Sequence, residues 1–296
     1  MKRLIAMAAT LAVALTTACA ESGAQPLGPA PSNEPSSPAP SPSPTGSPSP
    51  PSPSPSPIPA RDFTYEAWFN YDGYLFVTHR TEPFVPGVGA RSVEAVLEGP
   101  TNDESAAGLS SAINPGTRLL GLTIHSGVAT VNLDETFGAE ETPATAVGSL
   151  SQIVYTLTQF DSIDGVVFEV GGTRLTNLGG YELRVPQRRA SFADQLPAIL
   201  LESPGIGERV SSPVTISGSA DVFEAVVSIA ILDEHGRTVA SSFTMATCGT
   251  GCRGSYTVDV RYDVGNRQPG TIRVYEVSAK DGSPLHVVEI PVLLTP

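Results

Sequence analysis

Positive charge, tryptophan and paired histidines are scarce in this sequence. Its 17 lysines and arginines stand against 30 aspartates and glutamates, and the formal net charge of -13 argues against nucleic acid as a partner. The four histidines are scattered, with no pair at metal-ligand spacing, and the G-x-S-x-G motif of serine hydrolases is absent. We therefore expect neither a metal nor a cofactor.

Long hydrophobic runs are scarce as well, and the one at the N-terminus is short. It extends from Leu4 to Leu15 and follows two basic residues. This length is insufficient for a mature membrane-spanning helix but is typical of a secretory signal. The pattern predicts that the protein is exported.

The end of this signal resembles the bacterial lipobox, whose cysteine is acylated and begins the mature chain. It has the sequence Leu15-Thr16-Thr17-Ala18-Cys19, in which Leu15 stands one position further from the cysteine than in the motif. The resemblance implies a lipoprotein signal peptide over residues 1–18 and a protein anchored to the outer face of the cell membrane through Cys19. Ordinary cleavage after Ala18, which would leave a free N-terminal thiol, is the alternative.

Residues 19–60 have no set of apolar side chains that could form a core. Fifteen of the 28 prolines lie between Gly23 and Ala60, mostly in Ser-Pro repeats. Such repeats favour extended polyproline II at ~3.1 Å per residue, so the segment could span roughly 100 Å. We interpret residues 19–60 as a disordered tether; ligand motifs for Pro-binding domains are the alternative.

Residues 61–187 predict an α+β domain with a small mixed sheet and packed helices. Thr142 suits a helix N-cap and Pro143 the first helical position. Apolar residues then recur at spacings of three or four, at Ala146, Leu150, Ile153, Leu157 and Phe160. After a turn, the run from Val166 to Val170 indicates a buried strand.

Two hairpins are predicted in the same domain. Seven of the 19 aromatic residues lie between Phe63 and Phe76, around a turn at Asp72-Gly73. We interpret them as a strand pair with its aromatic face on the core helix. A sugar-stacking platform with an exposed Trp68 is the alternative. The clearest hairpin has alternating apolar residues on both strands, with a turn at Ser126-Gly127 between them. These residues are Leu120, Leu122 and Ile124 on the first strand and Ala129, Val131 and Leu133 on the second.

Residues 198–296 predict an all-β immunoglobulin-like sandwich. Seven short strand-like runs follow one another in about a hundred residues, with turn signals between them and no competing helical period. Cys248 and Cys252 lie between two of these runs, and Gly249 and Gly251 permit a tight turn. In an exported protein we expect these cysteines to form a disulfide, since C-x-x-C spacing and further zinc ligands are missing.

Four segments of the first domain resemble GerMN, the sporulation and spore-germination domain. They are Ala95–Pro100, Ala112–Thr117, Gln152–Phe160 and Val166–Gly172. Segments of the second domain resemble the immunoglobulin-like domain of bacterial spore germination, a frequent companion of GerMN. These are Ser212–Gly218, Ala220–Ala225 and Ser278–Pro284.

The resemblance implies a non-catalytic protein-protein assembly module, because GerMN is similar to the ring-building domains of spore-envelope complexes. It does not imply that the organism sporulates. Envelope proteins or a second copy of the chain are the expected partners. We expect Gln152, Tyr155 and Gln159 to face outward on the core helix and, with Trp68, to form the candidate interaction surface.

Two other functions remain open from the sequence. The first is binding of cell-wall glycan or peptidoglycan, for which an exposed Trp68 would be the main support. The second is cell-wall hydrolysis by paired carboxylates, for which Glu140-Glu141 and Asp161 with Asp164 are the closest clusters. Positions beside a helix N-terminus and in a turn also explain these acidic residues, so we assign no catalytic residue.

We predict that Cys19 carries acyl chains in the mature protein, because the signal ends there and a long tether implies a fixed starting point. Mass spectrometry of the mature N-terminus should show the lipid mass on Cys19, and the Cys19→Ser variant should be released into the medium. An unmodified Cys19 in a protein that stays with the cell would contradict the anchor.

Overall fold

The computed structural model describes residues 61–139, 141–184 and 186–296. The predicted signal peptide, Cys19 and the Pro-rich tether lie outside the described residues. Within these ranges, no helix combines the length and the hydrophobicity that crossing a membrane requires.

The N-terminal domain places a central helix beside a strand ribbon and a small sheet. Its helices are α1 (Val88–Glu98), α2 (Asn102–Ala106) and α3 (Pro143–Leu157). Its strands are β1 (Asp62–Tyr71), β2 (Tyr74–Pro83), β3 (Leu119–His125), β4 (Val128–Leu133), β5 (Gly165–Val170), β6 (Thr173–Arg174), β7 (Asn177–Leu178) and β8 (Tyr181–Glu182). β1 pairs with β2, β7 pairs with β8, and the order β3-β4-β5-β6 forms the main sheet.

The main sheet is mixed, as the sequence predicts. β4 runs parallel to β5, whereas β3 and β6 are antiparallel to their neighbours. Both predicted hairpins are present, and their turns contain residues with positive φ, namely Asp72 with Gly73 and Ser126 with Gly127. These turn residues match the right-handed twist of the flanking strands.

Helix α3 begins as predicted and is more deeply enclosed than its apolar stripe suggests. Thr142 Oγ1 accepts a hydrogen bond from the backbone N–H of Thr145 at 3.3 Å, and Pro143 occupies the first turn. All residues from Gly148 to Leu157 are buried, because β1, α1 and a 3-10 turn at Arg189–Gln195 pack around the helix. α3 is therefore a core element on several faces.

A row of polar side chains on α3 is hydrogen-bonded to the backbone of β1. Gln152 Nε2 donates to the carbonyl of Trp68 at 3.0 Å, and Thr156 Oγ1 accepts from the N–H of Trp68 at 3.3 Å. The Gln159 amide accepts from the N–H of Glu66 at 2.7 Å and donates to its carbonyl at 2.8 Å. These side chains take the place of a neighbouring strand along one edge of β1.

The outward orientation predicted for the candidate interaction surface is therefore wrong. Gln152 and Tyr155 are 0% and 3% exposed, and Gln159 is half-buried. The reason is physical: a buried helix can carry polar side chains where backbone donors and acceptors of another element satisfy them. An apolar stripe alone does not reveal such partners.

Trp68 belongs to the core, which rules out the exposed platform for sugar stacking. Its side chain is 1% exposed, and its ring centroid lies 4.8 Å from that of Tyr155. The indole N–H donates to Glu66 Oε2 at 3.0 Å. The interpretation of the aromatic hairpin as a strand pair packed on the core helix is confirmed.

The C-terminal domain is the immunoglobulin-like sandwich that the sequence predicts. Its strands are β9 (Ile199–Ser203), β10 (Arg209–Ser211), β11 (Val214–Ala220), β12 (Val226–Leu232), β13 (Thr238–Met245), β14 (Gly254–Val260), β15 (Gln268–Val277) and β16 (Pro284–Thr295). One sheet has the order β10-β16-β15-β12-β13 and the other β14-β11-β9. The three-residue β10, which runs parallel to β16, is the one described strand of this domain that the sequence did not predict.

Cys248 and Cys252 form the predicted disulfide in the connection between β13 and β14. Their Cα atoms are 5.8 Å apart. Thr250 and Gly251, within the ring, both have positive φ, which is the tight turn that the two flanking glycines led us to expect.

We predict that Gln152→Ala destabilises the protein by about 2–5 kcal/mol. The substitution removes the partners of the Trp68 carbonyl and of the Ala112 N–H, which lies 2.7 Å from Gln152 Oε1, and each unsatisfied buried group costs about 1–3 kcal/mol. Urea unfolding followed by Trp68 fluorescence measures the change.

The matched control is Gln195→Ala, because the Gln195 side chain is half-buried and has no hydrogen bond within the described structure. We expect it to shift stability by less than about 0.5 kcal/mol. Equal losses in the two variants would show that the amide row does not stabilise the domain.

Candidate functional site

The described residues include no catalytic arrangement at the predicted carboxylates. Glu141 precedes α3 and Asp161 and Asp164 follow it, so the 15-residue helix keeps the two clusters about 22 Å apart. Asp161 and Asp164 have exposed side chains in a turn. Glu140 lies outside the described residues. No group of three or more His, Cys, Asp or Glu in the described ranges could hold a metal ion.

A cleft of about 280 Å³ lies where the two folded domains meet. Its lining from the N-terminal domain and the connecting segment consists of Trp68, Tyr155, Arg189, Ala190, Ala193 and Leu196. Its lining from the sandwich consists of Leu200, Glu202, Ser219 and Arg253. The cleft thus combines aromatic and aliphatic walls with two guanidinium groups and one carboxyl group.

Arg189 is held over the aromatic wall of this cleft. Its Cζ lies 5.4 Å from the ring centroid of Trp68 and 4.8 Å from that of Tyr155, within the range of cation-π attraction. Its Nε donates to Thr158 Oγ1 at 2.9 Å and a terminal nitrogen donates to the Tyr155 carbonyl at 3.1 Å. A distance of 3.7 Å to a Glu66 carboxylate oxygen adds a weak ion pair. Arg189 is therefore well oriented on the N-terminal side.

Arg253 reaches the same cleft from the sandwich and binds only neutral groups. Its guanidinium donates to the carbonyls of Ser219 at 3.3 Å and Pro197 at 2.5 Å. No carboxylate of the described residues lies within ion-pair distance of it. Burial lowers the pKa of Arg253, although the charges of nearby acidic groups oppose this shift. Within the described residues Arg253 is thus a partly desolvated cation that forms no direct ion pair, and Asp221 and Glu202 act on it only from a greater distance.

Glu202 is the carboxyl group of the cleft, and its surroundings disfavour the ionised form relative to an ordinary glutamate. Burial raises its pKa above the ordinary value, and the charge of Glu66 acts in the same direction. The Ser219 hydroxyl at 3.4 Å and the two arginines oppose the shift without cancelling it. Glu202 and Arg253 therefore attract each other without forming a direct ion pair.

A second polar contact joins the two domains at His79 and Glu208. His79 is on β2 and Glu208 lies between β9 and β10, with 3.4 Å between Nδ1 and Oε1. This separation is long for a hydrogen bond, and the contact is an ion pair when His79 is protonated. Interaction with Glu208 raises the pKa of His79, although burial opposes the rise, and His79 lowers the pKa of Glu208 in return. The contact is strongest when His79 is protonated.

Sequence reasoning singled out Trp68 and Tyr155 but not the charged residues of the cleft. Arg189, Glu202 and Arg253 come from a connecting segment, from β9 and from the loop before β14. No local motif marks them, because only the packing of the two domains brings them together.

Two family models match the folded part of the chain. Residues 69–176 match the family described as sporulation and spore germination, and residues 198–283 match the immunoglobulin-like domain of bacterial spore germination. The chain therefore joins a domain of the sporulation and spore-germination family to the immunoglobulin-like domain of bacterial spore germination. Both resemblances seen in the sequence are confirmed.

Two solved structures of GerMN domains are similar to parts of this chain. The first GerMN domain of the sporulation protein GerM from Bacillus subtilis is 20% identical, with a TM-score of 0.39, over 43% of this chain and 98% of that one. The tandem GerMN domains of the same protein are 16% identical, with a TM-score of 0.40, over 79% of this chain and 61% of theirs. No curated protein matches this chain.

We predict that the His79–Glu208 pair stabilises the protein below neutral pH and loses this effect as the pH rises. The folded-state pKa of His79 lies above its unfolded value of about 6.5, so the stabilisation is fully present below that value and disappears as pH rises through the folded pKa. Thermal unfolding from pH 5.5 to 8.5 should show wild type more stable than His79→Gln at the acidic end, on the order of 0.5 kcal/mol.

His125→Gln is the control, because His125 is exposed at the end of β3. It should follow the pH dependence of the wild type. If the difference between wild type and His79→Gln does not change with pH, the ion pair makes no contribution.

Proposed function

We propose that the protein is a non-catalytic assembly module of the cell envelope, held at the outer face of the membrane by acylated Cys19. The two family matches support a sporulation or germination type of module, and their descriptions name no enzyme activity. The partner is a second copy of the chain or a homologous domain.

The observation that carries this proposal is the outer edge of β3. In the described part of the chain β3 pairs with β4 alone, and its other edge has no strand beside it. Leu120 and Ile124 on this strand are 54% and 49% exposed. An exposed edge with apolar side chains can add a strand from another chain through backbone hydrogen bonds.

A tethered protein needs little intrinsic affinity for such pairing. Attachment of many copies to one membrane raises their effective concentration, and a tether of roughly 100 Å leaves the folded domains free to find each other. Association of an isolated pair in solution is therefore expected to be weak.

Wall-polymer binding no longer has its main support. That hypothesis rested on an exposed Trp68, and Trp68 is buried under Arg189 and beside Tyr155. Sedimentation of the protein with wall polymer is therefore the outcome that contrasts with assembly.

We predict that Leu120→Cys and Ile124→Cys give defined protein adducts when intact cells are treated with a thiol-specific bifunctional crosslinker. Asn102→Cys is the control, since Asn102 is exposed on α2 and not on β3. Adducts at the two β3 positions and not at Asn102 support edge pairing. If no position gives an adduct while the protein sediments with purified wall polymer, the assembly hypothesis fails and wall binding replaces it.

A further inference from the structure

We propose that the cleft between the two domains binds the carboxylate group of a small aliphatic ligand, held between Arg189 and Arg253. Free short-chain acids and the C-terminal carboxylate of a peptide share this chemistry. The proposal goes beyond assembly through β3, because the cleft is a separate site that uses different residues.

Arg253 supplies the first reason. A guanidinium that has lost part of its hydration is unfavourable without a direct ion pair, and no carboxylate of the described residues lies within ion-pair distance of Arg253. Asp221 and Glu202 act on it only from further away. Arg253 donates hydrogen bonds to two backbone carbonyls and to the Ser219 hydroxyl, whereas a guanidinium has five N–H donors. A ligand carboxylate would accept hydrogen bonds from the remaining N–H groups and neutralise the charge of the guanidinium.

The walls of the cleft indicate the size and chemical character of the rest of the ligand. Ala190, Ala193, Leu196 and Leu200 are aliphatic, and the volume of about 280 Å³ lies just below the range of pockets that hold drug-sized molecules. The aromatic side is already covered by the stacked guanidinium of Arg189. An aliphatic body of one or two small residues, rather than an aromatic or sugar ring, fits these walls.

Glu202 makes binding dependent on pH. Besides Arg189, Arg253 and Ser219, the groups that act on it are Glu66 of β1, Tyr256 of β14 and His79 of β2. Burial raises the pKa of Glu202, so it is more readily protonated than an ordinary glutamate. The neutral acid tolerates a second carboxyl group nearby, whereas ionised Glu202 repels it. Affinity should therefore fall as pH rises through the pKa of Glu202.

Trp68 offers a direct measurement, because it is the single tryptophan of the chain and lines the cleft. We would titrate the full-length protein in detergent micelles with propionate, with acetyl-Ala-Ala and with acetyl-Ala-Ala amide, following tryptophan emission. Saturable changes with either acid but not with the amide support the proposal. Response to propionate alone identifies a free acid as the ligand, and response to acetyl-Ala-Ala alone identifies a peptide C-terminus. No saturable change, or an equal response to the amide, overturns it.

Arg253→Gln should weaken binding of the responding acid at least tenfold, because charge-assisted hydrogen bonds are lost. Arg209→Gln is the matched control, since Arg209 is exposed on β10 of the same domain. It should bind like wild type. Equal affinities of the two variants would overturn the role of Arg253.

Glu202→Gln keeps the proposal testable if Arg253→Gln does not fold. The affinity of this variant for the ionised acid should not change with pH, whereas wild type should bind more weakly as pH rises through the raised pKa of Glu202. If the pH dependence of the variant equals that of wild type, Glu202 does not face the bound carboxylate. Crosslinking through β3 is independent of these results, so either proposal can fail alone.

Discussion

The N-terminal domain depends on the hydrogen bonds between the polar row of α3 and the backbone of β1. A two-stranded ribbon is marginally stable by itself in water, and its outer edge would leave buried backbone groups without partners. Gln152, Thr156 and Gln159 satisfy these groups at Glu66 and Trp68, which fixes the ribbon on the helix. The three helix residues are three and four positions apart, and this spacing is close to the two-residue repeat of the strand edge. Their side chains therefore reach the backbone groups of both Glu66 and Trp68.

The same attachment positions the cleft. Trp68 on β1 and Tyr155 on α3 face each other because the helix and the ribbon are fixed in register, and Arg189 then lies over both rings. The sandwich brings Arg253 and Glu202 to the other side. Charged groups from the two domains thus meet over an aromatic wall that belongs to the N-terminal domain, where the polar row on α3 holds β1 against the helix.

Local signals in the sequence predicted elements better than contacts between elements. Thr142-Pro143, Asp72-Gly73 and Ser126-Gly127 determine backbone geometry through their own chemistry, so the helix start and both hairpins could be predicted. The burial of Gln152 could not, because its partners at Trp68 and Ala112 are distant in the chain. Arg253 could not be predicted as a site residue for the same reason. It lines the cleft only because the sandwich packs against the N-terminal domain.

The unequal edges of the main sheet limit how many copies strand addition can join. β3 offers seven residues, whereas β6 at the opposite edge offers two, and the edge of β1 is occupied by α3 side chains. Pairing of one β3 with another is a two-fold symmetric contact, which uses the same surface on both partners and leaves no long edge of the main sheet for a third copy. A ring or filament would therefore require a second, different surface, whereas contact through β3 alone closes as a dimer.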